Sequence, residues 1–209
     1  MRQRKTAESR KSEIVDATLR LADKLGPDRL TTETIAHAVG LTQPAIFRHF
    51  PKKQDLWEAV AERVGSMMEI RWKKVQNSDA SATDRIRALI RVQLRLIQST
   101  PAIPAILFSR ELHTKNKGLR IAFFGLMSRF HRLIASLVTQ AGTEGELRDD
   151  LDSDDAAFLI IGLVQGLAVR WSISDRNFNL VEEGNRLLEL QLQGLACQAS
   201  NDKGNRSEP

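Results

Sequence analysis

One stretch, TTETIAHAVGLTQPAIFRHF at residues 31–50, constrains this chain more than any other. It reads as two short helices joined by a tight turn. Thr31 is a good N-cap, because its hydroxyl can accept from an unpaired N–H of the first turn, and Ile35, Ala36 and Val39 follow at the spacing of one buried helical face. Gly40 ends the first helix. A residue just past a helix end often takes positive φ, which glycine does without steric penalty, and Leu41 can then tuck under the turn. Thr42 is expected to cap the second helix. A step of about 100° per residue puts Ile46 and Phe50 on one side of it with Phe47 beside them, and leaves Pro44, Ala45, Arg48 and His49 on the other. The outward face is expected to be small, then cationic. Pro44 falls in the first helical turn, where its missing N–H removes no intrahelical bond. Two helices so joined form a helix-turn-helix.

Charge gathers beside this motif. The chain carries 31 Lys/Arg against 26 Asp/Glu, and the imbalance lies before residue 78, where 15 cationic side chains meet 10 anionic ones; the remainder is balanced. A basic part joined to a neutral one suggests that the first part meets a polyanion. A duplex major groove admits one helix, and small plus hydrogen-bonding side chains let that helix enter deeply. Gln43 can then pair with an adenine edge, Pro44 and Ala45 with thymine methyls, and Arg48 with guanine or a phosphate. Thr31, Thr32 and Thr42 stand at helix starts, where hydroxyls and free N–H groups suit phosphates. The competing reading is an ordinary helical hairpin with solvated polar residues. Membrane binding would need an amphipathic basic helix, whereas Arg2, Arg4, Lys5, Arg10 and Lys11 precede the first apolar periodicity. Residues 1 to about 8 read as a mobile basic arm, either solvated or adding phosphate and minor-groove contacts.

The run over residues 14–60, with GLTQPAIFRHFPKKQDL at its heart, resembles the DNA-binding domain of the tetracycline-repressor (TetR) family of transcriptional regulators. The resemblance implies a homodimer on double-stranded DNA with a palindromic operator, and a repressor released by a small-molecule inducer. It also implies that His49 and Lys53 contact the DNA backbone, since they match positions that do so in the family. Phe47 departs from the pattern: the family usually has tyrosine there, with its hydroxyl on a phosphate.

The rest of the chain reads as helices, so the expected fold is all-α, with about nine helices. Residues 1–55 form the expected three-helix DNA-binding domain, and a helix over about 53–75 connects it to a larger ligand-binding and dimerisation domain spanning 56–199. The polar run 76–84 is a linker, and residues 200–209 read as a disordered tail. A helix from Ala82 presents Ile86, Leu89, Ile90, Gln93, Leu94 and Ile97; Pro101 and Pro104 set off a short one; a break at HTKNKG precedes a helix over about 119–140 with Ile121, Phe124, Met127, Phe130, Ile134 and Leu137 on its apolar face. AAFLIIGLVQGLAVRWSIS is apolar around most of its circumference and must be covered on more than one side. Gly162 and Gly166 there, with Gly184 in the last helix, can let helices approach closely. The resemblance implies that these two helices, with Leu188 and Leu192 in the seam of the last, pair with their copies; a purely intrachain core is the alternative.

Gln93, His113, His131, Gln165 and Trp171 are polar or amphipathic groups in or beside apolar runs, and are candidates to orient a small molecule. No nucleophile elbow, metal-ligand spacing or Gly-rich phosphate loop is present, so no catalytic residue, metal or cofactor is expected. The single cysteine, Cys197, fits a reducing cytoplasm. No segment is expected to match a membrane span, and MRQRKTAESRKSE lacks the apolar core of a secretion signal. A DNA-bound adaptor, answering to a protein partner and lacking a small-molecule pocket, is the second reading.

Overall fold

Helix ends sit where the capping residues place them. Thr6 caps α1 (Ala7–Leu25), its hydroxyl accepting from the Ser9 N–H at 3.2 Å. Thr31 does the same for α2 (Thr32–Ala38), accepting from Thr34 at 3.1 Å. Gly40 takes φ +65, and the Leu41 and Gly40 N–H groups return to the carbonyls of Ala36 and His37 at 2.9 and 3.2 Å. This pair of bonds is the Schellman closure, which satisfies carbonyls that the helix end would otherwise leave open. The chain can then turn into α3 (Gln43–His49), whose Pro44 lies in the first turn. Lys52 precedes α4 (Lys53–Gln76), and its N–H donates to Asp55 at 2.9 Å.

The computed structural model describes residues 6–197. After α4 come α5 (Ala82–Ser99), α6 (Ala102–Leu107), a π-helical turn at Glu111–Lys115, α7 (Lys117–Thr143), α8 (Ser153–Ile173) and α9 (Leu180–Leu195), with a 3-10 turn at Pro27–Arg29 between α1 and α2. Among the described residues there is no strand, only an isolated bridge between Leu147 and Ala196. The fold is all-α. Residues 6–8 belong to the cap and first turn of α1 rather than to a mobile arm. The rest of that arm, and the tail over 200–209, lie outside the described residues.

Buried apolar side chains form one continuous cluster from Ile14 to Leu195. α4 carries it through: Leu56, Trp57 and Val60 near its start and Met68 and Trp72 near its end are all buried, and the helix packs on α1, α5 and α7. Two carboxylates from the end of α7 and the loop after it close the N-terminus of α5. Glu144 accepts from the Ala82 N–H at 3.0 Å and Glu146 from the Thr83 N–H at 2.9 Å. Burial by itself raises the Glu146 carboxyl, but hydrogen bonds from Thr83 and Ser81 outweigh it and hold the group below its ordinary value of 4.5.

Three expectations need correction. On α7, Ile121, Phe124 and Met127 are exposed while Phe123, Leu126 and Phe130 are buried. The helix has two apolar faces in its first half, and a single chain covers only one. Apolarity of that extent also makes α7 and α8 long and apolar enough to cross a bilayer by length and hydropathy, so such segments do exist; here the two pack against each other. On α9, Leu188 and Leu192 are buried within the chain, and a Cβ at Gly184 would run into the Leu94 side chain of α5. That seam is occupied by this chain's own α5. Gly162 and Gly166 differ, with nothing within 4 Å of where a Cβ would stand.

Candidate nucleic-acid interface and the cavity behind it

α3 is seven residues long, held by Ile46, which is fully buried, and by Phe50 just past its end. The opposite side is exposed: Gln43, Pro44, Phe47 and Arg48, which at about 100° per residue share an arc of about 140°. Phe47 is 40% exposed and belongs to this face rather than beside Ile46. Ala45 is half-buried beyond the Arg48 edge of that arc, and His49 is half-buried on the far side of the helix. The outward face is thus amide, proline ring, aromatic ring and guanidinium. Among the described residues Arg48 makes no side-chain hydrogen bond or ion pair and is free to reach.

The threonines divide. Thr31 is exposed, capping α2 and sharing a 2.8 Å hydrogen bond with the Thr34 hydroxyl. Thr32 is buried and accepts from Gln43 Nε2 at 2.7 Å, so it supports the reading helix from behind instead of standing open to a phosphate. That bond also holds the Gln43 amide in place. Thr42 has the N-cap conformation but makes no capping hydrogen bond, which leaves its exposed hydroxyl for another partner. The helix survives because Pro44 has no N–H to satisfy. Beside α3, the Lys11 ammonium lies 5.8 Å from the Phe50 ring centre.

Lys53 turns away from this face. Its ammonium pairs with Glu111 at 3.4 Å, a carboxylate only 6% exposed. Glu111 opens the π-helical turn, and that turn is tied to the reading end of the chain at several points. Asp28 accepts from the N–H groups of Glu111 and Arg110 at 3.0 and 3.3 Å, and Asn116 donates to the Gln54 carbonyl at 3.3 Å. Sequence reasoning missed Asp28 and Glu111, since nothing local relates residues so far apart in the chain.

Beyond that turn lies a cavity of about 80 Å³ between α4, α5, α6, α7 and α8. Its walls include Ile103, Leu107, Phe123 and Val164, and no charged residue lines it. Gln93 and Gln165 are in the wall, as the sequence suggests. His113, His131 and Trp171 are not. Each is engaged elsewhere: His113 Nε2 with the Leu107 carbonyl at 2.8 Å, His131 Nε2 with the Asp154 carbonyl at 3.2 Å, and the Trp171 indole with the Phe178 carbonyl at 3.0 Å. Trp72, stacked on Phe130 with ring centres 4.9 Å apart, takes their place in the wall. Met68 and Trp72 recur four apart on α4, a spacing that in sequence reads only as core.

A helix-turn-helix with an open reading face, joined by one long helix to a helical body that holds an apolar cavity, defines a DNA-binding transcriptional regulator. The family model for bacterial regulatory proteins of the tetR family matches residues 14–60, and the one for the C-terminal region of YsiA-like proteins matches residues 60–194. This chain belongs to the TetR family. The nucleoid occlusion factor SlmA of Aliivibrio fischeri is 24% identical over 189 residues, covering 88% of this chain and 96% of that protein. Among solved structures, the transcriptional regulator FadR from Bacillus subtilis in complex with stearoyl-CoA superposes with a TM-score of 0.75 at 22% identity, over 88% of this chain and 98% of that one. A putative regulator from Saccharomonospora viridis in complex with choline does so with 0.79 at 20% identity, over 89% and 96%. Likeness at these identities speaks to the fold.

Proposed function

We propose that this protein is a homodimeric repressor that leaves a palindromic operator when an uncharged small molecule enters the cavity. Residues 1–55 act as the DNA-binding unit in the cytoplasm, with Gln43, Pro44, Phe47 and Arg48 toward the groove, Thr31, Thr42 and His49 at its edges, and Lys53 recruited to the backbone when released. Residues 56–199 act as the effector and dimer unit. The exposed side of α8, with Phe158, Leu159, Gly162 and Gly166, is the surface offered to the second copy. The observation that carries this reading is the bonded path from cavity to reading head: α6 contributes wall residues, the π-helical turn follows it, and that turn holds Asp28 and Lys53. A ligand that moves α6 moves both. By linkage it can shift DNA affinity only as far as its own preference between the two dimer states.

Footprinting on DNA flanking its own coding sequence, repeated with compounds found by thermal shift, tests the proposal. A two-fold protected site lost on adding a stabilising compound is expected; protection that no stabilising compound relieves contradicts release by a ligand. An adaptor answering to a protein partner is the second reading. It is favoured by relatives that are named nucleoid occlusion factors, and disfavoured by the cavity, which an adaptor does not need.

A further inference from the structure

The cavity wall contains two polar atoms with nothing to bind. Trp72 is 5% exposed and Gln93 8% exposed, both line the cavity, and among the described residues neither the Trp72 Nε1–H nor the Gln93 Oε1 has a hydrogen-bond partner. Buried polar groups are almost always paired, because leaving one unpaired forfeits its hydration without return. Stacking on Phe130 holds the Trp72 ring. The Gln93 amide nitrogen has only the Met68 sulfur, at 3.9 Å. One buried donor and one buried acceptor therefore stand unused in a wall whose other amide side chain, Gln165, is exposed.

Resting on the reading of this cavity as the effector site, we infer that its ligand is an uncharged, mainly apolar molecule bearing a single hydroxyl group. A hydroxyl oxygen accepts from the Trp72 indole, and its hydrogen donates to the Gln93 carbonyl oxygen, so one small group completes both atoms. A carboxylate accepts but cannot donate. It would also bring a charge into a wall with no cation to meet it, at a large desolvation cost. An ether accepts from Trp72 and leaves Gln93 unpaired.

Calorimetric titration of the full chain without DNA tests this with 1-octanol, with 1-methoxyheptane, which has the same number of heavy atoms but no donor, and with octanoate near neutral pH, where it is ionised. Lauroyl-CoA is the fourth probe. The alcohol should bind about threefold to tenfold more tightly than the ether, and at least about a hundredfold more tightly than octanoate. Trp72→Phe keeps the ring and loses the donor, and Gln93→Leu keeps the bulk and loses the acceptor. Gln93→Leu should bring the alcohol down to the ether's affinity without altering the ether, whereas Trp72→Phe should weaken both. Tighter binding of octanoate or lauroyl-CoA, an alcohol affinity indifferent to both substitutions, or no binding by any probe would overturn the inference. Adding the alcohol to the DNA complex separates the two readings. If it binds as described while DNA stays bound, the ligand class stands and ligand-driven release fails; if another class of compound releases DNA, the reverse holds.

Discussion

Phe47 lies within the exposed arc of α3, between Gln43 and Pro44, where the family usually carries tyrosine. An aromatic ring 40% exposed on a polar face has room at its outer edge for the missing hydroxyl. Phe47→Tyr should strengthen DNA binding by about 0.5–1.5 kcal/mol per subunit, the net value of one hydrogen bond. Phosphates carry no sequence information, so operator and scrambled duplexes should gain equally in paired affinity titrations. No gain on either would mean that this edge does not face the backbone. Lys53 poses the opposite case, since its charge is held by Glu111 at 3.4 Å in the free protein. Glu111→Gln should release it, raising affinity and steepening the salt dependence of log K by about one unit per subunit, and Lys53→Ala should flatten that dependence. Equal slopes for both variants and the parent would place Lys53 away from DNA.

The helix pair α8 and α9 separates two uses of glycine. A Cβ at Gly166 meets nothing within 4 Å in this chain, whereas one at Gly184 meets Leu94. Gly184→Val should therefore lower stability by about 1–3 kcal/mol through overpacking, read as a fall in the melting midpoint. Gly166→Leu should leave the protomer's fold intact and shift the sedimentation profile toward monomer. A stable Gly166→Leu dimer would remove this glycine from the contact. α5 adds a pH dependence through Glu146, which caps it from the loop after α7. Because the folded carboxyl lies below its ordinary value of 4.5, its stabilisation is complete above that value and is lost as pH falls through the folded value. Thermal melts of Glu146→Gln and the parent should differ at neutral pH and converge in acid; a gap that persists in acid would assign the effect to packing.

At the scale of the molecule, two reading helices in a twofold dimer fit successive major grooves only at a separation of about 34–36 Å or a multiple of it. Inserting about half a helical turn between operator half-sites puts them on opposite faces of the duplex, and binding should fall to the non-specific level in a gel-shift titration. Undiminished affinity for the spaced site would mean that each reading head binds alone. The same geometry explains how a small cavity can act at a distance. α4 is buried near both ends, and the π-helical turn clamps its start through Lys53 and Gln54. Under the proposed mechanism, a shift of the cavity wall is passed through this clamp to the reading heads.

Local chemistry was legible in the sequence wherever one helix's own rules decide the outcome. Thr31 begins a helix and Gly40 ends one because the side chain, or its absence, settles the hydrogen bonds of the neighbouring turn. The core face of α5, from Ile86 to Ile97, follows equally from spacing. Periodicity cannot choose between two apolar faces, and so it could not say that Phe123 turns inward while Phe124 turns out, or that Leu188 is covered by this chain. The reading face was legible in its residues and not in its orientation, since whether Phe47 or Ala45 is exposed depends on how α3 seats on α1 and α2. The cavity and the Glu111 clamp belong wholly to the tertiary structure. Trp72 and Gln93 line one cavity, and Lys53 meets Glu111, because separate elements pack, and no pattern local to any of them encodes the arrangement.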